Sequence, residues 1–302
     1  MDPFHSQLGK NNARGCYSHV IYRSNDRSLG HPKIGASFIF SIKKIHGWRF
    51  CMQRVVILGS ASAVSDEHHE NSHLLVQIGD RVILVDCVGN PIVRLKKAGI
   101  HPAQVQEIIL THFHPDHVSG FPLLLMDMWL MGRNDSLKVI GVAHTIERAQ
   151  KMMDLYEWDR WPNFFPVQFI AIEEQAMTPL LDDQDVLILA SPVKHLLPTI
   201  GLRFLFKNNG KVFSYSSDTE PCQAVVELAK DADVLLHEAT GLSIGHTSRE
   251  QCGEIATQAN AKLLYLTHYP PESDPEVLRH QSQSTFAGPV VVATDFLNID
   301  LT

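Results

Sequence analysis

The segment THFHPDH at residues 111–117 constrains the fold of this chain more than any other feature. It places three histidines and one aspartate within six positions, directly after an apolar run, VQEIIL, that predicts a short buried strand. Imidazole and carboxylate groups are ligands of zinc and of neighbouring divalent metals. Because alternate residues of an extended loop point the same way, His112 and His114 are predicted to bind one ion. Asp116 and His117 would then face a second ion.

Two four-coordinate ions need more ligands than this loop provides, and three further candidates follow apolar, strand-like segments. They are His195, Asp218 and His268. In a chain with 17 histidines, an isolated His-X-His pair would more often be an ordinary structural feature. The clustered motif together with the downstream candidates favours metal binding instead. An aspartate between two cations can bridge them, and we expect Asp218 to do so.

Composition allows a large core and argues against a broad nucleic-acid surface. The chain has 302 residues and is 44% apolar, which fits one large domain or two modest ones. Residues 52–302 hold 18 Lys and Arg against 31 acidic residues. Non-specific affinity for nucleic acid comes from neutralising phosphates with Lys and Arg, so this acidic part predicts a different kind of substrate. A small phosphoester is still compatible, because bound metals can meet its charge.

Residues 1–51 differ from the rest, with eight Lys and Arg against two acidic residues. We predict that they form a basic N-terminal extension and that residues 52–302 form the folded domain. Two interpretations of the extension stay open: it lies outside the fold, or it packs on the domain as an extra strand or arm. Five cysteines without a CxxC pair favour reduced thiols and a cytoplasmic setting. Neither a membrane-spanning segment nor a secretion signal is expected.

From residue 52 onward, short strands and helices alternate, with a hairpin turn at Gly79 and Asp80. Neighbouring hairpins indicate mixed sheets. Strands are predicted at residues 55–58, 73–78, 81–86, 105–110, 137–141, 167–172, 186–190, 201–206, 211–215, 234–236, 262–266 and 290–293, and helices at 91–98, 121–131, 145–156, 222–230 and 248–260.

The ligand order resembles that of the metallo-β-lactamase superfamily, and of its short-form ribonuclease Z branch in particular. Beyond HxHxDH, the resemblance rests on LVDC before the cluster, HLLPTIGLRF, SSDT, HEAT, HTS and LTH, and it covers residues 52–302. It implies an α/β fold, a four-layer αββα sandwich of two mixed β-sheets with the metals at one edge. It also implies two divalent metal ions, for which we expect zinc, although manganese and iron accept the same ligands.

The resemblance assigns a role to each candidate. One metal is implied to take His112, His114 and His195, the other Asp116, His117 and His268, with Asp218 bridging. Asp86 is implied to support the metal loop from behind. A metal-bridging hydroxide would be the nucleophile, with Asp116 as its proton acceptor. Glu238 and His246 are implied to supply the general acid. His246 could instead simply precede a helix whose capping box begins at Thr247.

The chain also departs from that branch. Ribonuclease Z enzymes carry a Gly/Pro- and Lys-rich arm that grips transfer RNA, and residues 120–200 show no such insertion. An aromatic stretch at residues 155–165 stands there instead. Trp158 and Trp161 are candidates for a substrate pocket or for a contact in a homodimer. Core packing of the same residues is the alternative.

The sequence thus predicts a dinuclear metal-dependent hydrolase, a phosphodiesterase acting on a small phosphodiester, with no membrane partner. One alternative is a lactone, carboxylic ester or aryl sulfate hydrolase on the same scaffold. Transfer-RNA 3′-end cleavage is a further alternative, although large RNA fits the acidic domain less well. A metal-stabilised binding protein is the alternative that is not an enzyme.

Overall fold

The computed structural model of the chain describes residues 52–302. The extension at residues 1–51 lies outside the described residues, so both interpretations of it stay predictions. The described residues contain two seven-stranded sheets. Their strands are built from Val-, Ile- and Leu-rich segments, most of which are buried on both faces, as strands in the centre of a layered α/β fold must be.

The first sheet uses the N-terminal half of the domain and the last strand of the chain. Its strands are β1 (Gln53–Gly59), β2 (His73–Ile78), β3 (Arg81–Val85), β4 (Val105–Ile109), β5 (Leu137–Val142), β6 (Val167–Ile172) and β14 (Asn298–Asp300). Their spatial order is β14-β1-β2-β3-β4-β5-β6. Strands β1 to β3 pair antiparallel, whereas β3 to β6 pair parallel. The hairpin between β2 and β3 turns at Gly79, whose φ of 58° favours glycine.

The second sheet uses the C-terminal half. Its strands are β7 (Thr178–Asp182), β8 (Val186–Val193), β9 (Thr199–Phe206), β10 (Val212–Tyr215), β11 (Val234–Glu238), β12 (Leu264–Thr267) and β13 (Val290–Val292), and they lie side by side in chain order. Strands β7 to β10 pair antiparallel and β10 to β13 pair parallel. Both sheets are therefore mixed, as predicted.

Helices cover the outer face of each sheet. They are α1 (Pro91–Lys97), α2 (Pro115–Val118), α3 (Phe121–Leu130), α4 (Ala143–Asp154), α5 (Gln223–Leu228), α6 (Arg249–Gln258) and α7 (Pro275–Gln283). The central apolar core joins side chains of both sheets, such as Val76 and Phe204. One outer core joins the first sheet to α1, α3 and α4, and the other joins the second sheet to α5, α6 and α7. The predicted four-layer αββα metallo-β-lactamase sandwich is confirmed.

Four of these elements were not predicted from the sequence, and one of them is the four-residue helix α2. Strand β7 contains Pro179, which argues against a strand, but it lies at a sheet edge where proline is tolerated. Strand β14 has three residues and forms only by pairing with β1. Helix α7 had a readable signal, because Asp274 accepts a hydrogen bond from the Glu276 backbone N–H and Pro275 occupies the first turn.

Within residues 52–302, no helix combines the length and the apolar character needed to cross a membrane. In the same part of the chain, Cys87, Cys222 and Cys252 are free thiols, as the sequence predicted.

Candidate metal centre

The candidate ligands lie where strands of the two sheets end. Strand β4 of the first sheet leads into the 112–117 loop. In the second sheet, the pairing makes β8, β10, β11 and β12 run in one direction, so their carboxyl ends meet at one edge. His195 follows β8, Asp218 follows β10, and His268 follows β12. The Ile200 backbone N–H donates to the Thr111 carbonyl, which joins the two edges.

Three histidines converge on one side of the centre. The distance from Nδ1 of His114 to Nε2 of His112 is 3.1 Å, and the distance to Nε2 of His195 is 3.2 Å. Nitrogen atoms this close together could form one face of a tetrahedral metal site. The fold thus brings His195 into contact with His114, although the two residues are 81 positions apart in the chain.

The other side combines two carboxylates with two histidines. Oδ2 of Asp218 lies 3.3 Å from Nε2 of His268 and 3.5 Å from Nε2 of His117. It is also 3.9 Å from Nε2 of His112, so this carboxylate lies between the two groups. Oδ2 of Asp116 is 3.5 Å from Nε2 of His268 and 3.7 Å from Nε2 of His117. In each group, the ligand atoms lie within 4.8 Å of one another.

Hydrogen bonds behind the imidazoles decide which nitrogen faces the centre. His117 donates from Nδ1 to Oδ2 of Asp86 at 2.8 Å. The same carboxylate accepts from the Thr111 hydroxyl, which in turn can accept from Nδ1 of His112 at 3.1 Å. Each of these rings therefore turns Nε2 towards the centre, as metal-bound histidines commonly do. The position of Asp86 matches the supporting role expected of it.

Two further Nδ1 contacts were missed by the sequence analysis. Nδ1 of His195 donates to the Gly245 carbonyl at 2.7 Å. Nδ1 of His268 lies 2.8 Å from the hydroxyl of Thr240, and that hydroxyl donates to the His268 carbonyl. A contact to a backbone carbonyl cannot be recognised from the sequence, and Thr240 was noted only as part of the HEAT segment. Both contacts depend on loops that meet only in the folded chain.

The centre fits divalent cations on its own geometry. Among the described residues, buried Nε2 of His117, Nε2 of His268 and Oδ1 of Asp218 have no hydrogen-bond partner. Buried polar atoms normally find one, so three unpartnered atoms at one point fit a site for a cation. Burial lowers the pKa of His112 and of His195, which keeps these rings neutral and their lone pairs free.

The carboxylates of the centre are ionised. Burial would raise the pKa of Asp218, but the charges of His268 and His117 outweigh it and hold that pKa well below its usual value. Burial would likewise lower the pKa of His117, but Asp218 and Asp86 outweigh it and raise that pKa well above its usual value. These carboxylates therefore favour positive charge at His117, and a divalent cation at Nε2 would supply it.

Glu238 ends β11 and His246 lies on the loop after it, both next to the centre. Nδ1 of His246 is 3.1 Å from Oε1 of the fully buried Glu238, and its ring stacks on that of His268 with 5.6 Å between centroids. Burial opposes protonation, but the hydrogen bond to Glu238 outweighs it and raises the pKa of His246. The capping box of α6 pairs Ser248 with Gln251, so the box expected to begin at Thr247 was placed one residue too early.

Trp158 and Trp161 belong to an aromatic cluster around α3, α4 and β6. The Trp161 indole stacks on Trp129 at 5.2 Å, and the Trp158 indole meets Phe169 edge to face at 5.9 Å. Both are half-buried against the outer core of the first sheet. Their contacts fit the core-packing alternative, and a role in a pocket or dimer stays a prediction.

Comparisons with known proteins support this fold. A ribonuclease Z of Methanothermobacter thermautotrophicus is 24% identical, and the match covers 83% of this chain and 97% of that protein. Among solved structures, the metallo-β-lactamase fold protein YhfI of Bacillus subtilis has a TM-score of 0.70 at 24% identity, covering 82% of this chain and 99% of the other. The short form of human tRNase Z has a TM-score of 0.65 at 23% identity, with the same coverage of 82% and 99%.

The family described as Anti-Pycsar protein Apyc1 matches residues 53–291. This range includes every candidate ligand and both Glu238 and His246. Since the match spans most of the domain, the chain belongs to the Anti-Pycsar protein Apyc1 family, on the metallo-β-lactamase fold.

Proposed function

We propose that this protein is a dinuclear metal-dependent hydrolase that cleaves small phosphodiesters. The observation that carries the proposal is the convergence of seven His and Asp side chains at one edge of the two sheets, with three of their buried polar atoms lacking a partner among residues 52–302. Relatives named ribonuclease Z support the reaction class, because the bond that a ribonuclease cleaves is a phosphodiester.

The geometry supports a division of the ligands between two ions. His112, His114 and His195 would hold one, and Asp116, His117 and His268 the other, with Asp218 reaching both. When bound, two divalent cations neutralise phosphate charge and make a water molecule more acidic. We expect zinc, which favours nitrogen and oxygen ligands in tetrahedral sites.

The chain's own groups then move the protons. The pKa of Asp116 is held below its usual value, because burial, which raises it, is outweighed by the neighbouring imidazoles of His268 and His117, which lower it. Its carboxylate orients the attacking water and accepts its proton. On the leaving-group side, His246 donates a proton to the departing alkoxide. Glu238 accepts from Nδ1 of His246 and so leaves Nε2 to face the substrate.

Glu238 is itself fixed in place by backbone donors. Oε1 accepts from the N–H groups of Thr219 and Thr247 at 3.2 and 3.0 Å, and Oε2 accepts from the N–H of Thr240 at 2.9 Å. A buried carboxylate with this many donors cannot swing away, so the imidazole that it holds is positioned before substrate arrives.

A substrate panel tests the proposal. Zinc-loaded protein should hydrolyse bis-p-nitrophenyl phosphate, and His114→Ala should abolish the activity while the variant stays folded. His280→Ala, at an exposed histidine of α7, is the matched control and should keep full activity. Hydrolysis of a lactone or an aryl sulfate, but not of the phosphodiester, would overturn the proposal in favour of the ester alternative.

Cleavage of a transfer-RNA precursor is the second candidate, favoured by the name ribonuclease Z that the relatives carry. The same panel therefore includes a precursor transfer RNA. Trimming of its 3′ end at a rate far above that of the small diester would assign the larger substrate, whereas no product would leave the small phosphodiester. Metal analysis of the purified protein identifies the ion.

A further inference from the structure

The backbone of Gly245 makes two hydrogen bonds, one on each side of its Cα, and one of the two partners is His195. Its carbonyl accepts from Nδ1 of His195 at 2.7 Å, and its N–H donates to Oε1 of Glu220 at 3.1 Å. A carbonyl only accepts, so this bond fixes the proton of His195 on Nδ1 and leaves the Nε2 lone pair free. The direction in which His195 aims therefore depends on where the backbone of Gly245 lies.

Gly245 is buried, and the residues after it are anchored, because Glu238 accepts from Nδ1 of His246 and from the Thr247 N–H. The three residues before Gly245 are Leu242, Ser243 and Ile244, and all three are exposed, with the two apolar side chains 85% and 77% accessible. Burial therefore contributes little to ordering the loop on the side that carries the Gly245 N–H. Glu220, by contrast, stands on the body of the fold, where its backbone N–H donates to the Lys194 carbonyl at 2.7 Å.

Gly245 also has no room for a side chain. Its φ is 85°, a conformation that favours glycine, and a Cβ there would lie 2.8 Å from Nδ1 of His195. The backbone at Gly245 and the imidazole of His195 therefore lie so close together that the position favours glycine.

We infer that Glu220 is a positioning residue for the metal centre: it holds the backbone of Gly245 by its N–H, and the carbonyl of the same residue fixes the tautomer and direction of His195. The inference rests on the proposed role of His195 as a ligand and extends the centre to a residue whose carboxylate lies outside it. Loss of the hydrogen bond from Gly245 to Glu220 should weaken binding of the ion at His112, His114 and His195. Binding of the ion on the Asp116 side should not change. Partners behind a metal-binding histidine typically change metal affinity about 10–100-fold.

The test is a calorimetric titration of metal-free protein with zinc. Wild type should show two binding events, and His114→Ala identifies the event that uses the three histidines. Glu220→Ala should weaken that same event about 10-fold or more and leave the other unchanged. Glu220→Gln retains an oxygen that can accept from the Gly245 N–H and should bind zinc like wild type. Gly245→Ala should weaken the same event as Glu220→Ala.

Two controls separate positioning from general destabilisation. Lys194→Ala removes the exposed ion pair with Glu220 but leaves the carboxylate free to accept from Gly245, so zinc affinity should not change. Asp274→Ala removes the N-cap of α7 and should lower the melting temperature without changing zinc affinity. A wild type that binds no zinc would overturn the proposed function together with this inference. Two wild-type events with unchanged affinities in Glu220→Ala would overturn the inference alone.

Discussion

At the scale of single residues, the centre is built on unusual backbone. Asp86, Ser217 and His268 all have positive φ, at 61°, 54° and 50°, a region that non-glycine residues adopt at a cost. Each lies in or beside the ligand set, and each follows a strand that ends abruptly. Such strain concentrates where the fold must turn a side chain towards a site, and the remaining contacts stabilise it.

Ser217 offers a direct test of that strain. Its buried hydroxyl has no hydrogen-bond partner among the described residues. Ser217→Gly removes both the strain and the unsatisfied hydroxyl, so we expect the free energy of unfolding to rise by about 1 kcal/mol, after the entropic cost of glycine. Urea denaturation measures the change.

The neighbouring serine is the matched control for this substitution. Ser216 accepts from the Glu238 N–H at 2.9 Å, so Ser216→Gly should lower stability by about 1–2 kcal/mol. A Ser217→Gly variant no more stable than wild type would show that the left-handed backbone at Ser217 is not strained.

His73 makes the stability of the fold depend on pH. Burial lowers the pKa of this imidazole to about 4, while the unfolded value is near 6.5. The folded state therefore binds fewer protons, and stability is fully present above about pH 6.5 and is lost as pH falls towards 4. For a fully buried group the difference is about 3 kcal/mol.

The measurement compares wild type with His73→Asn, both in chelator so that metal release does not contribute. Asparagine can donate to the Asn71 carbonyl as Nδ1 of His73 does, but it does not titrate. The slope of unfolding free energy against pH between 4 and 6.5 should be smaller in the variant. Equal slopes would exclude His73 as the source.

At the scale of elements, the close approach of α6 and α7 fixes the helix that follows the His246 loop. Gly253 of α6 lies against the Ser282 carbonyl and the Thr285 hydroxyl, so closely that a Cβ would overlap both. The Thr285 hydroxyl donates to the Glu250 carbonyl and the Ser282 hydroxyl to the Arg249 carbonyl. Glycine here serves packing between helices, despite its poor helix propensity.

Gly253→Ala tests that packing. Helix propensity alone would favour alanine by about 1 kcal/mol, but overpacking against backbone costs about 1–3 kcal/mol, so we expect net destabilisation. Glu254→Ala changes an exposed position of the same helix and should alter stability by less than about 0.5 kcal/mol. Thermal unfolding of both variants checks the prediction, which fails if Gly253→Ala is the more stable of the two.

At the scale of the whole molecule, the proposed metal centre joins the two sheets. The 112–117 ligands come from the first sheet, whereas His195, Asp218 and His268 come from the second. A cation bound to both sets would bind the folded chain and not the unfolded one, and so stabilise the sandwich.

Metal removal should therefore lower the stability of the entire domain. At a free metal concentration about 1,000 times the dissociation constant, binding adds about 4 kcal/mol to the free energy of unfolding. Calorimetry with and without chelator should show a clear fall in melting temperature for wild type and for His280→Ala, and a much smaller fall for His114→Ala. An unchanged wild-type melting temperature would argue against the bridging centre.

The sequence by itself determined the candidate ligands and the alternation of strands and helices. Side-chain chemistry and hydrophobic periodicity are local properties, so HxHxDH, His195, Asp218 and His268 could be read directly from the printed chain. Edge strands were harder to read, because β14 exists only through its pairing with β1.

Only the tertiary structure decided how those ligands are aimed. The Gly245 carbonyl contacts a histidine 50 residues away, and the Thr240 hydroxyl contacts one 28 residues away. Glu220 in turn accepts from the Gly245 N–H. Every residue carries a carbonyl and an N–H, so no sequence pattern marks which of them will meet an imidazole. Which of them meets an imidazole depends on how distant strand ends converge, and this cannot be predicted from a local stretch of sequence.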